Sequence, residues 1–101
     1  MQQETLHAYL LVLRRAALAY YESCQAENSE DQVIVDFTTA LEGVYNHKDL
    51  KSLPSLTELK SAVTHFRQHA LRSTKSKALD KAYERLDEEL ETRIKFYESK
   101  L

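Results

Sequence analysis

Two histidines four residues apart are the first candidates for chemistry in this sequence. His65 and His69 stand at positions i and i+4 of a predicted helix, the spacing that zinc-binding helices use to place two imidazoles on one face. The zincin motif requires a glutamate directly after the first histidine, and Phe66 stands there instead. A third ligand would have to come from elsewhere, for example Glu58 or His47. We therefore predict two solvated histidines and no metal site.

Carboxylates and arginines raise further possibilities for catalysis. Di-iron bundles use Glu-x-x-His motifs on facing helices, and this chain has one, Glu4 to His7, without a second copy. A single glycine cannot build a phosphate-binding loop. Arg14 and Arg15 would need further basic side chains to form an anion site, yet the predicted core-facing seams of the second, third and fourth helices contain no lysine or arginine. We predict no enzyme, no catalytic residue and no cofactor.

Basic side chains are concentrated between Lys60 and Lys81. A nucleic-acid surface needs such side chains on a shared face, because phosphate contacts supply most of the nonspecific affinity. On a regular helix Arg67 and Arg72 lie about 140° apart, so the charges straddle the helix instead of forming one stripe. Nucleic-acid binding is therefore the alternative function, and its candidate residues are Lys60, Arg67, Arg72, Lys75 and Lys77.

Length and composition indicate one helical domain that spans residues 1–101. A chain of 101 residues can bury a modest core without staples. Glycine and proline occur once each, at Gly43 and Pro54, whereas a β-rich domain needs turn residues far more often. The single cysteine, Cys24, excludes an intramolecular disulfide and predicts a buried structural thiol. The predicted fold class is all-α.

Charge and hydropathy favour a cytoplasmic protein. The formal net charge is −2, from 14 Lys and Arg against 16 Asp and Glu, which gives no overall attraction to nucleic acid or to an anionic membrane. The first residues lack the basic segment of a signal peptide. No uncharged apolar run approaches the ~18 residues that span a bilayer. We expect a soluble chain without membrane contact.

Apolar periodicity and capping residues predict four helices, at about 3–26, 29–47, 56–72 and 77–100. Residues 29–32 (Ser-Glu-Asp-Gln) and 55–58 (Ser-Leu-Thr-Glu) are capping boxes, in which the side chains of the first and last residues cap each other's backbone amides. Hydroxyl residues within 71–77 predict a break between the last two helices. The alternative is one continuous helix from Leu56 to the C-terminus.

The first helix is apolar around most of its circumference. Its core-facing seam follows a heptad a/d pattern formed by Leu6, Leu10, Leu13, Ala17, Tyr20 and Cys24. We expect neighbouring helices to cover Val12, Ala16 and Ala19. Leu11 and Leu18 lie among polar residues instead, and a fully exposed leucine forgoes ~1.5–3 kcal/mol of burial. These two leucines are either covered by another element of the chain or kept for a partner.

The other three helices present narrow apolar stripes, and Glu89 and Arg93 are predicted to pair on the solvated face of the fourth. Such helices pack as a small four-helix, mostly antiparallel bundle with the first helix most enclosed. The predicted function is a non-catalytic helical protein-interaction module, a small regulator or adaptor that acts as a homodimer or docks on a protein partner. Monomer and dimer remain open alternatives. The predicted partner-binding residues are Leu11, Leu18, Arg14, Arg15 and Tyr21.

Overall fold

The computed structural model of this chain describes residues 2–28, 30–48, 56–72 and 75–99. Most of these residues form four helices, and each helix begins and ends within two residues of its predicted bounds. The helices are α1 (Gln2–Gln25), α2 (Asp31–Tyr45), α3 (Leu56–Ala70) and α4 (Lys77–Glu98). The described residues contain no strand, which confirms the all-α fold. Among the helices of these ranges, none is both long enough and apolar enough to cross a membrane.

The helices pack as the predicted, mostly antiparallel bundle. α1 lies along both α2 and α4 and also meets α3, while α3 lies along α4. Two contacts show that α1 and α4 run in opposite directions. Near the start of α1, Nε2 of His7 lies 3.2 Å from Oε1 of Glu98, and near its end the Tyr21 hydroxyl donates to Asp80 over 2.6 Å.

Aromatic rings of α1, α2 and α3 meet at the centre of the core, and one of α4 packs at its edge. Tyr20, Phe37 and Phe66 lie edge to face, with ring centroids 5.6–5.7 Å apart. The ring of Tyr83 on α4 lies 5.9 Å from that of Phe66. Edge-to-face packing places the positive edge of one ring against the negative face of the next. The six predicted seam residues of α1 are all buried in this core.

α3 and α4 are separate helices, so the alternative of one continuous helix is wrong. α3 ends at Ala70, and α4 begins after Ser76. The Ser76 hydroxyl oxygen accepts a hydrogen bond of 2.9 Å from the backbone amide of Leu79. This side-chain cap satisfies one of the amides that a helix start leaves without a partner, and it fixes where α4 begins.

α2 begins one residue later than the capping box predicted at residues 29–32 requires. Its N-cap residue is Glu30, which makes no side-chain cap, and Nε2 of Gln32 donates to the Asp36 carboxylate over 2.8 Å. Ser29 lies outside the described residues. The connection 49–55, with Pro54 and the Ser55 cap predicted for α3, also lies outside them.

Arg93 shows that the core-facing side of α4 does contain a basic residue, contrary to the prediction. Arg93 is only 4% exposed. Its Nη1 atom donates to the Glu89 carboxylate over 2.5 Å and to the Glu89 backbone carbonyl over 2.9 Å. The predicted pair therefore forms at the edge of the core, where an arginine stem can be buried because a carboxylate one turn away compensates its charge.

Candidate partner-binding face

α1 has two apolar faces on opposite sides. One is the core seam, and at 100° per residue its centre lies about 180° from Arg15. Around Arg15 is a second group of small and apolar residues, all of them exposed. We call this group the outer face, and it consists of Ala8, Leu11, Val12, Arg15, Leu18 and Ala19. A helix on the surface of a bundle needs only one apolar face, so the outer face is the candidate binding site.

Leu11 and Leu18 lie on the side of the outer face nearest α4. They remain 39% and 43% exposed, so no other described element covers them fully. Together with Tyr83 and Asp87 of α4 they line a shallow groove of about 390 Å³. The two leucines are therefore the accessible apolar wall of a groove between α1 and α4.

Val12 and Ala19 form the other side of the outer face, and the expectation that neighbouring helices cover them is wrong. Val12 is 53% exposed, Ala19 is also exposed, and only Ala16 is half-buried. The reason is geometric, because α2 and α4 pack on either side of the core seam and leave the opposite side of α1 open. A second groove of about 500 Å³ lies here, between these residues and Thr39 and Ala40 of α2.

The two adjacent arginines have different surroundings. Arg14 points along the flank of α1 towards α4, where its Nε and Nη2 atoms donate to the Asp87 carboxylate over 2.8 and 3.2 Å. Glu91 lies 3.7 Å from the same guanidinium. The hydrogen bonds to Asp87 raise the pKa of Arg14 above its ordinary value. Arg15 is exposed and forms no ion pair with a described residue.

Tyr21, the fifth predicted partner-binding residue, packs within the chain. Its ring stacks on that of Tyr83, with the centroids 4.2 Å apart and the planes nearly parallel. Its hydroxyl donates to Asp80 over 2.6 Å, and this bond, together with partial burial, raises the pKa of Tyr21 to about 12. Tyr21 therefore ties α1 to α4 beside the groove and lies off the outer face.

The five basic residues of the alternative site are all exposed, but they occupy two places. Lys60 and Arg67 lie on α3, and the Lys60 ammonium is 5.3 Å from the centre of the Tyr45 ring on α2. Arg72, Lys75 and Lys77 lie at the connection between α3 and α4. Their charges are spread over one side and one end of the bundle.

The histidines and the cysteine have ordinary structural environments. The rings of His65 and His69 stack with centroids 6.1 Å apart, and Nη1 of Arg85 lies 3.5 Å from Nδ1 of His65. The described residues include no group of three His, Cys, Asp or Glu side chains placed to hold a metal ion. Cys24 is buried, donates to the backbone carbonyl of Ala70 over 3.4 Å, and has a pKa raised by burial. A raised pKa disfavours the reactive thiolate.

No protein-family model, curated protein sequence or solved structure matches this chain. The outer face runs for about three helical turns, or roughly 16 Å, with one cation at its centre. Such a surface can hold an apolar helix by burial and orient it by charge.

Proposed function

We propose that this chain is a non-catalytic helical protein-interaction module, a small regulator or adaptor that binds a protein through the outer face of α1. The observation that carries the proposal is the exposure of Leu11 and Leu18 on the side of α1 opposite the core seam. Exposure of these side chains to water is unfavourable, and burying apolar area contributes ~25 cal/mol per Å² to the free energy of binding. A partner that covers the face gains this free energy.

Neighbouring exposed apolar residues distinguish this face from the rest of the surface. Single exposed apolar side chains are normal in monomeric proteins, and Val35 on α2 and Leu71 after α3 are of that kind. On α1, by contrast, Leu11, Val12 and Leu18 lie within three turns of one helix and border two grooves. Continuity of apolar area is what marks a protein-binding surface.

The chemistry of the outer face suits binding better than catalysis. Its one charged residue is Arg15, and the six residues of the face include no histidine, cysteine, hydroxyl or carboxylate side chain that could act as a nucleophile or a general base. The neighbouring Arg14 is held by Asp87. We place the module in the cytoplasm, where a single buried thiol such as Cys24 needs no disulfide partner.

A matched set of glutamate variants tests the proposal. Leu11→Glu combined with Leu18→Glu should leave the circular dichroism of the helices unchanged, because both side chains are already exposed, and should abolish capture of the partner from source cells. Leu71→Glu places the same charge at another exposed leucine and should capture the partner like the unmodified chain. Loss of the helical signal in the double variant would show that the leucines belong to the core and would contradict the proposal.

Nucleic-acid binding is the second candidate, supported by the exposure of all five basic residues between Lys60 and Lys77. Phosphate contacts of this kind weaken steeply as salt is raised. Fluorescence anisotropy with labelled single- and double-stranded DNA and RNA at low salt is the test. Binding that is lost on Arg67→Ala with Arg72→Ala supports this candidate, and the absence of any low-salt binding removes it.

A further inference from the structure

We infer that the occupant of the outer face is an amphipathic helix of a different protein, with an Asp or Glu placed against Arg15. This inference rests on the proposed function and adds the chemistry of the partner. It follows from three features: the position of Arg15 within the face, the absence of an ion pair between it and any described residue, and the poor fit of the face to a second copy of itself.

Arg15 lies at the centre of the outer face, not at its rim. At 100° per residue, Leu11 and Leu18 fall about 40° and 60° to one side of it, and Ala19 and Val12 fall about 40° and 60° to the other. A partner that covers the apolar residues on both sides therefore also covers the guanidinium. A charge taken out of water without a compensating charge opposes binding, so the covering surface has to supply a carboxylate.

The intramolecular ion pairs leave Arg15 available for that carboxylate. Asp87 and Glu91, the acidic residues of α4 nearest this region, are both within 4 Å of Arg14. On the α2 side, Asp36 lines the same groove as Arg15, but its Oδ1 atom accepts a hydrogen bond from Gln32 and it forms no ion pair with Arg15. Arg15 is thus a positive charge of the outer face that no described residue pairs, and Glu22, about 20° from it on the same side of α1, lies two turns further along.

The shape of the face favours a helix as the bound element. Because the backbone amides and carbonyls of α1 are already bonded within the helix, a partner strand has no edge to extend, and side chains alone can make the contact. The grooves of about 390 and 500 Å³ on the two sides of Arg15 can receive apolar side chains spaced three and four residues apart. The acidic residue then lies between these two rows.

A second copy of the chain fits the face poorly. In a two-fold symmetric interface the residue on the axis meets its own copy, so an interface centred on the outer face places Arg15 against Arg15. If the axis is moved so that Arg15 meets Glu22 of an antiparallel copy, Leu11 lies opposite residue 26 of that copy. Residue 26 is beyond the end of α1 at Gln25. A parallel pairing again opposes the two Arg15 side chains. Like charges in contact disfavour the centred and the parallel arrangements, and the loss of a helical contact for Leu11 disfavours the shifted one.

A displayed library of amphipathic helices tests the inference on the full chain. Each helix has about 18 residues, with leucine or alanine at the positions that face the protein and one central facing position randomised. Selection on the unmodified chain should enrich Asp and Glu at that position about tenfold or more, and selection on Arg15→Glu should enrich Lys and Arg instead. Lys77→Glu removes an exposed cation outside the face and should keep the acidic preference.

The failures of this experiment separate the inference from the proposed function. Helices that bind through Leu11 and Leu18 without an acidic preference overturn the inference and support the proposed function. A stable dimer that is detected by sedimentation equilibrium and dissociates on Leu18→Glu also overturns the inference and supports the proposed function. The occupant is then a second copy of the chain. If no selected helix depends on Leu11 and Leu18, both the inference and the proposed function are overturned.

Discussion

Arg14 and Asp87 form a two-pronged ion pair between the first and last helices, with N–O distances of 2.8 and 3.2 Å. The pair joins residues 73 positions apart in the chain. The next residue, Arg15, is turned by about 100° and lies at the middle of the outer face, where it borders the grooves on both sides. Two adjacent arginines are therefore used differently, one to fix α4 on α1 and the other as part of the exposed outer face.

The first prediction follows from this difference. A double-mutant cycle of Arg14→Ala and Asp87→Ala should give a coupling free energy of about 0.5–1 kcal/mol, since both side chains are partly exposed and their attraction is screened. Arg15→Ala should change the free energy of unfolding by less than about 0.5 kcal/mol. Urea denaturation followed by circular dichroism measures both, and an equal loss of stability at the two arginines would contradict the assignment.

The second prediction concerns high pH. The ordinary pKa of tyrosine is 10.0; burial raises that of Tyr45 to about 12, and the hydrogen bond to Asp80 does the same for Tyr21. The folded chain therefore keeps both phenol protons in a pH range where the unfolded chain loses them. The contribution of these two tyrosines to the free energy of unfolding should be constant below about pH 10 and fall between about pH 10 and pH 12. Cys24, whose thiol pKa burial raises from its ordinary value of 9.0, adds a fall of the same sign that begins near pH 9.

Urea denaturation at several pH values checks this dependence, and two phenylalanine variants serve as controls. Tyr45→Phe should flatten the fall in part, because it removes one of the phenol protons that folding retains. Burial also raises the pKa of Tyr20 and of Tyr83, so a smaller fall remains. Tyr21→Phe should flatten it too, while also lowering stability by about 1 kcal/mol at neutral pH through loss of the hydrogen bond to Asp80. A stability that rises above pH 10 would have the wrong sign for raised tyrosine pKa values.

The third prediction tests the buried guanidinium of Arg93. Glu89→Gln should lower the free energy of unfolding by about 1–3 kcal/mol, because the charge of Arg93 then lacks its carboxylate at the edge of the core. Adding Arg93→Met should recover most of this loss, since methionine fills the volume without a charge. A neutral effect of Glu89→Gln alone would mean that Arg93 is better hydrated than its 4% exposure implies.

The fourth prediction is a stabilising substitution at Gly43. This residue lies within α2, and a Cβ atom added there would meet no atom within 4 Å. Gly43→Ala should raise the free energy of unfolding by up to about 1 kcal/mol, because alanine loses less backbone entropy on entering a helix. Thermal denaturation provides the measurement. Gly43 also borders the groove near Tyr9 and Val12. If Gly43→Ala leaves partner binding unchanged, the contact with the partner lies nearer Leu11 and Leu18.

The spacing of apolar residues was sufficient to predict the core seam of α1, because a heptad pattern defines one side of a helix whatever its neighbours are. The break before α4 was predictable for a similar reason, since Ser76 acts within its own turn. Both features depend on short-range interactions. The bounds of the helices follow from the same local rules.

Contacts between helices were harder to predict. A helical wheel shows on which side of α4 Arg93 lies. It does not show how far the packed helices extend around α4, so it does not predict the burial of Arg93. Tyr21 was assigned to a partner, and only the fold reveals Tyr83 beneath its ring. The apolar pattern of α1 does not distinguish a helix surrounded by the other three from one of four helices in a ring. The expectation that Val12 is covered holds only for the first arrangement. The signal for the outer face was present in the sequence as Leu11 and Leu18.

The pairing of α1 with α4 also bears on how the chain is made. His7 and Glu98 meet across 91 positions, so ribosomal synthesis delivers the last partner of α1 long after α1 itself. Until that segment emerges, the growing polypeptide exposes apolar surface on more than one side of α1, which is the kind of surface that chaperones bind and that drives aggregation. Translational pausing before α4, or truncation within it, should therefore harm this protein more than similar events in chains whose first helices complete their core early.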